Sequence, residues 1–173
     1  MISVIIPVYN TAQFLSTCIK SIINQTFQKL EIIIVNDAST DNSIHICNKF
    51  KEEDNRIILI DKKQNEGVEK ARYDGILASK GEYICFVDSD DWLEKDALKR
   101  MYDKALETDA DYVEVEMQRV LDRHKIIKKK AYPAVRGLIT QPQLFDLYYI
   151  SFLGVNILSL IPQHYYKIFF LST

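Results

Sequence analysis

A short apolar run, Tyr83-Ile84-Cys85-Phe86-Val87, stops abruptly at Asp88-Ser89-Asp90-Asp91-Trp92. Carboxylates gathered this closely repel one another unless a cation sits among them. A divalent metal with oxygen ligands is the natural occupant. An ion held by only one or two carboxylates keeps open positions, and phosphate oxygens fill those well. The chemistry predicted is therefore a metal that carries a phosphorylated ligand. In an extended backbone alternate side chains share a face, so Asp88 and Asp90 are expected to point the same way. A competing reading makes Asp90 or Asp91 the N-cap of a helix starting near Leu93.

Those carboxylates need elements to position them. Five apolar runs rich in β formers read as strands: Ser3 to Pro7, Glu31 to Val35, Arg56 to Ile60, Tyr83 to Val87 and Tyr112 to Met117. Helical spacing lies between them. Phe14, Leu15, Cys18, Ile19, Ile22 and Ile23 form one apolar face, and Ile44, Ile46, Cys47 and Phe50 a second. Val68 to Ser79 and Leu93 to Thr108 are the other two helices, with Gly81 expected as a C-cap. Pro7 is expected to end the first strand. Strand and helix in steady alternation predict a Rossmann-like three-layer α/β/α domain with a mostly parallel sheet over residues 1–117. Ligands of such sheets bind at the carboxyl ends of the strands, where Asp88 lies.

The bulk properties exclude several classes. At 173 residues and 47% hydrophobic, the chain is long enough for a sizeable core, and its net charge of −2 gives no pull toward nucleic acid. Cys18, Cys47 and Cys85 each sit within an apolar pattern, which suits buried thiols in a reducing compartment. No signal peptide is read at Met1-Ile2-Ser3. Leu144 to Pro162 is apolar but is interrupted by Asp146 and Asn156, so it is expected to be buried or membrane-facing rather than spanning. Arg119 to Lys130 is a basic cluster, expected as a solvated hairpin or loop, with attraction of phosphates or anionic lipid as the functional alternative.

Four strand-end motifs occur in order: SVIIPVYN, EIIIVNDASTDNS, NEGVEKAR and KGEYICFVDSDDW, followed by ADYVEVE. In this combination the chain resembles the family 2 glycosyltransferases, inverting enzymes with a GT-A fold. The resemblance covers roughly residues 1–117 and fades beyond 120. It implies a nucleotide-sugar donor, most often a UDP-sugar, at the carboxyl edge of the sheet. Pro7, Val8 and Tyr9 would line the nucleoside, and Asp37 would accept the uracil N–H, as an ionised carboxylate can. Arg72 would bring a cation near the base or diphosphate. Asn65 and Gly67 would shape their loop. Asp88 and Asp90 match the family's DxD motif. With Ser89, Asp88 would contact the donor, and Asp90, Asp88 and Asp91 are the candidate ligands for Mn²⁺ or Mg²⁺. The acceptor would be a polysaccharide, a lipid-linked sugar or another molecule, reached at the cytoplasmic face of a membrane.

The chain departs from the family pattern in several places. Asn36 stands where the family often has the first Asp of a pair, and Tyr73 follows Arg72 where Asn is frequent. An inverting transfer needs a general base, yet no Glu-Asp pair follows Trp92. Asp146 has no marked surroundings, and His164 sits in an aromatic tail as an expected packing residue. A second domain, 118–173, is thus expected to be an incomplete acceptor-side or membrane-proximal extension. The alternative function is an inactive nucleotide-sugar-binding fragment. A nucleotidyltransferase is disfavoured, because Val8-Tyr9-Asn10-Thr11 has neither glycine nor a basic residue after the first strand.

Overall fold

The structure is a computed structural model, and it describes residues 1–116, 119–122, 125–127 and 167–172. The elements are β1 (Ile2–Val8), α1 (Ala12–Ile23), β2 (Leu30–Asn36), α2 (Ser43–Glu53), β3 (Ile57–Asp61), α3 (Val68–Ala78), β4 (Tyr83–Phe86), α4 (Ala97–Thr108), β5 (Tyr112–Glu116), β6 (Arg119–Asp122), β7 (Lys125–Ile127) and β8 (Lys167–Ser172). The chain divides into two compact units: Met1–Val113 with Tyr165–Phe170, and Glu114–His164 with Leu171–Thr173.

In the first unit the strands run β3-β2-β1-β4-β8, each hydrogen-bonded to its neighbour. Every pairing among them is parallel. This is the expected α/β architecture. β1 and β2 are buried along their whole length, as strands covered on both faces by helices must be. Each fully buried Ile in them contributes about 1.5–3 kcal/mol of transfer free energy. β1 enters first, β2 and β3 extend the sheet to one side, and β4 then pairs on the other. The order therefore reverses between β1 and β4, which opens the crevice where such sheets bind ligands.

Pro7 does not end β1; it pairs with Val35 inside the strand, which runs on to Val8. A proline is tolerated there for a geometric reason. The Ile5 carbonyl accepts from Val87 N–H on the β4 side, and Pro7, two residues on, faces the same way. β4 ends at Phe86, so the donor that Pro7 lacks falls where the β4 ladder stops.

Two other expectations need correction. Gly81 does not cap α3, whose C-cap is Ser79. Gly81 instead brings the chain against β1: a Cβ there would lie 2.5 Å from Ser3 Oγ and 2.6 Å from Ser3 N. Its N–H donates to Ser3 Oγ (2.8 Å), and that hydroxyl donates to Glu31 Oε1 (2.5 Å). On α1, Leu15, Cys18, Ile19 and Ile22 are buried as expected, but Phe14 is 45% exposed.

β8 was not foreseen: Tyr83, Ile84 and Cys85 pair with Lys167, Ile168 and Phe169. In the second unit, β6 and β7 form an antiparallel hairpin with Arg119 opposite Ile127, which agrees with the hairpin expected for the basic cluster. Among the described residues no helix is long and apolar enough to cross a membrane. The segment from Leu144 to Pro162, with Asp146, and His164 lie outside the described residues.

Candidate functional site

The loops after β1, β2 and β4 meet at the carboxyl edge of the sheet. Asn10 adopts a positive φ of 53°, which turns its side chain into a bracket. Its Oδ1 accepts from Thr40 N–H (2.8 Å) and Asp41 N–H (3.3 Å), while its own N–H donates to Ser39 Oγ (3.1 Å). Asp41 completes the joint by accepting from Ala12 N–H and Ser43 N–H, both at 2.9 Å. The polar run after β2, which looks like plain turn composition in sequence, thus fixes the start of α1. Ala38 takes a positive φ of 56° beside Asp37, a conformation that costs a non-glycine residue about 1 kcal/mol.

Asp37 is 2% exposed. Its carboxylate accepts from Gly67 N–H (2.8 Å) and Glu66 N–H (3.1 Å), and it pairs with Lys62 Nζ at 2.7 Å. Burial alone would raise this carboxyl. The hydrogen bonds from Lys62, Glu66 and Gly67 outweigh it and hold Asp37 below the usual carboxylate range. Gly67 is shaped for this role by a φ of 91°, and Asn65 Oδ1 shares its N–H at 3.1 Å. Asn65 and Gly67 therefore build the loop, as expected. Lys62 also approaches Glu66 (3.0 Å) and Asp74 (3.6 Å), with only 8% of its side chain exposed. The sequence reading missed Lys62; the available signal was a lysine directly after a strand at the ligand-binding edge. Asn36 is accounted for as well. Its Nδ2 donates to Asp61 Oδ1 at 2.8 Å, a bond an aspartate there could make only if one of the two carboxyls were protonated.

On the other side of the crevice, β4 ends at Phe86 and the aspartates lie in a turn closed by Asp91 N–H donating to the Asp88 carbonyl (3.0 Å). The alternation argued for an extended chain therefore does not apply. Exposure sorts the side chains instead: Ser89 is 4% exposed, whereas Asp90 is open and 39% of the Asp88 side chain is exposed. Neither Asp90 nor Asp91 caps a helix. α4 begins at Ala97, with Asp96 at its N-cap, so the capping alternative is removed. Ser89 Oγ accepts from Thr11 Oγ1 (2.9 Å), which ties the turn to the loop after β1. Arg72, expected near the base or diphosphate, is 8% exposed and places Nη2 2.6 Å from Asp88 Oδ1. Its guanidinium also lies 5.7 Å from the Phe86 ring centre.

Asp91 shows what the turn lacks. Burial, then the neighbouring Asp90 and Asp88 charges, push its carboxyl up to about 6. Beneath the turn, burial and the same three carboxylates push the Cys18 thiol up. A divalent ion would relieve this repulsion, and carboxylate oxygens are the ligands such an ion takes. Among the described residues no group of three or more His, Cys, Asp or Glu is arranged to hold a metal alone. Oxygens from a ligand would have to complete the coordination, as is common for Mg²⁺-type sites. Of Pro7, Val8 and Tyr9, only Tyr9 is open, at 49% exposure. Pro7 and Val8 can contribute backbone alone.

A parallel α/β sheet with carboxylates gathered at the reversal of strand order defines a domain of the GT-A type. The comparisons make the assignment specific: residues 3–149 match Glycosyl transferase family 2, and the chain belongs to that family. Over 110 residues it is 47% identical to glycosyltransferase GlyA of Streptococcus pneumoniae, covering 64% of this chain and 16% of that protein. Over 113 residues it is 44% identical to the poly(ribitol-phosphate) beta-glucosyltransferase of Bacillus spizizenii, covering 64% of this chain and 18% of that protein. Residues 1–349 of S. aureus TarS, solved in complex with UDP-GlcNAc, share the fold at a TM-score of 0.62 and 28% identity, covering 67% of this chain and 35% of that one. The chain thus spans less than a fifth of the length of these two curated relatives.

Proposed function

We propose that the chain is the donor-binding part of a glycosyltransferase that takes a UDP-sugar with a divalent cation, Mn²⁺ or Mg²⁺, and passes the sugar with inversion to a polysaccharide, lipid-linked or other acceptor. The observation that carries this reading is the crevice between β1 and β4, with Asp37 and Tyr9 on one side and the Arg72–Asp88 pair with Asp90 and Asp91 on the other. S. aureus TarS, which shares the fold, was solved with UDP-GlcNAc, and this supports the donor class. The Bacillus spizizenii relative, by its name, acts on a poly(ribitol-phosphate), which supports a polymeric acceptor.

In this reading Tyr9 and the backbone of Pro7 and Val8 receive the nucleoside, and Asp37, held by Lys62, Glu66 and Gly67, shapes the loop beside the base. Asp88, Ser89 and Asp90 meet the ribose and diphosphate. Asp90, Asp88 and Asp91 would hold the cation, which when bound neutralises charge developing on the departing diphosphate. Arg72 orients Asp88 through the contact of its Nη2 with Asp88 Oδ1. The buried thiols of Cys18, Cys47 and Cys85 support a reducing, cytoplasmic site of action. Recovery of the protein from a secreted fraction would contradict that placement.

Isothermal titration of the full chain with UDP, with and without Mn²⁺, tests the reading. Binding that requires the metal is the expected result. No binding by a sample shown to be folded would overturn it.

A further inference from the structure

Residues 87–96, between β4 and α4, carry the aspartate turn with no regular secondary structure. Their backbone polar groups must therefore find partners elsewhere. α1 and the residues that flank it supply several of them. Cys18 and Ser21, three residues apart, share a face of α1, and Gln25 follows just past its C-cap, Asn24. Cys18 Sγ approaches the Asp88 carbonyl at 3.5 Å. Ser21 Oγ accepts from Leu93 N–H at 3.0 Å. Gln25 is 1% exposed and uses both ends of its amide: Nε2 donates to the carbonyls of Glu94 (2.7 Å) and Ser21 (3.0 Å), and Oε1 accepts from Leu98 N–H (3.0 Å). The contacts continue past both helix ends, through Thr11 to Ser89 and through Thr26 N–H to the Lys95 carbonyl (2.9 Å).

We propose that Ser21 and Gln25 are positioning residues, which hold the Asp88–Asp91 turn in the geometry that binds the metal-bound diphosphate. The proposal rests on the donor-site reading above. Packing alone would ask only for an apolar side chain at position 25. Here a buried amide makes three hydrogen bonds, one to Glu94 in the segment that leads from the aspartates to α4 and one to Leu98 in the first turn of α4. Neither residue touches ligand. Each acts through the backbone of residues 93–98, as outer-shell groups do at metal sites.

The test measures, on the full chain, the Mn²⁺ concentration that half-saturates UDP binding, together with the melting temperature. Gln25→Met and Ser21→Ala are expected to raise that concentration about tenfold or more. Ser21→Thr, which keeps the hydroxyl, is expected to restore it. Ser3→Ala, which breaks the buried bonds at the opposite edge of the sheet, should lower the melting temperature without moving the Mn²⁺ midpoint. Should Gln25→Met fail to fold, the Ser21 pair carries the test. The proposal is overturned if Ser21→Ala behaves as Ser3→Ala does, with lower stability and an unmoved midpoint. A wild-type chain that binds UDP with no Mn²⁺ response would defeat the donor-site reading itself, and this proposal with it, before any variant is made.

Discussion

Asp37 and Asp91 are carboxylates at the same edge of one sheet, and their surroundings push them in opposite directions. Asp37 sits against a buried lysine and two backbone N–H groups, and its carboxyl is held low. Asp91 is half-buried against two more carboxylates, and burial first, then those charges, raise its carboxyl to about 6. The β2–β3 side is a completed site whose charges are matched within the protein. The turn after β4 gathers negative charge that Arg72 offsets only at Asp88 among the pairs described. The contrast indicates a division of labour: one side is built to keep its shape, the other to receive a cation.

The contrast breaks most severely at the turn. Asp88→Ala combined with Asp90→Ala should remove Mn²⁺-dependent UDP binding, a loss of more than about 100-fold, beyond what outer-shell changes produce. Titration calorimetry reads it, and retained metal-dependent binding would sink the site assignment.

On the matched side the expected loss is in stability. Lys62→Met leaves Asp37 buried without its cation, where their side chains are 8% and 3% exposed, and should cost about 3 kcal/mol in urea unfolding. Adding Asp37→Asn removes the stranded charge, so the double variant should be more stable than Lys62→Met alone. A double variant that is less stable would show that Lys62 does not serve to neutralise Asp37.

Asn36→Asp sharpens the same point. It sets a carboxylate against Asp61 in place of a 2.8 Å hydrogen bond, at a cost of about 2 kcal/mol near neutral pH. The penalty should shrink as pH falls into the carboxylate range and the pair takes up a proton. A penalty independent of pH would assign the effect to packing instead.

The smallest effect belongs to Asp91. Its folded value, about 6, lies above the ordinary 3.8, so the folded chain binds this proton more tightly than the unfolded one. Stability from this group is therefore lost as pH rises from about 4 through 6. Asp91→Asn should stabilise the chain by less than about 1 kcal/mol above pH 6, and the gain should vanish near pH 4. Asp37 has the reverse sign: its lowered carboxyl contributes stability that is present above the ordinary value and lost as pH falls through the folded one. Melting curves of the Asp91 variant across pH separate the two directions.

Much of the fold was legible because its signals are local. Apolar runs such as Glu31 to Val35 and helical spacing such as Leu15, Cys18, Ile19 and Ile22 report burial directly. β8 was not legible, because Lys167–Ser172 joins β4 from more than 80 residues away in the chain and no local pattern records that pairing. Helix starts were blurred where turns intervene: α4 was expected near Leu93 and begins at Ala97, with Asp96 at its N-cap.

The site divides in the same way. By itself the sequence determined which chemical groups stand at the strand ends and in what order, because strand periodicity places Asp37 and Asp88 at one edge of a parallel sheet, to which the family resemblance adds Arg72. Tertiary structure alone decided their partners. Lys62 neutralises Asp37, Arg72 orients Asp88, and Gln25 and Ser21 hold the backbone that follows the aspartates. Those partners come from other elements, and their hydrogen bonds depend on distances of about 3 Å that only packing sets.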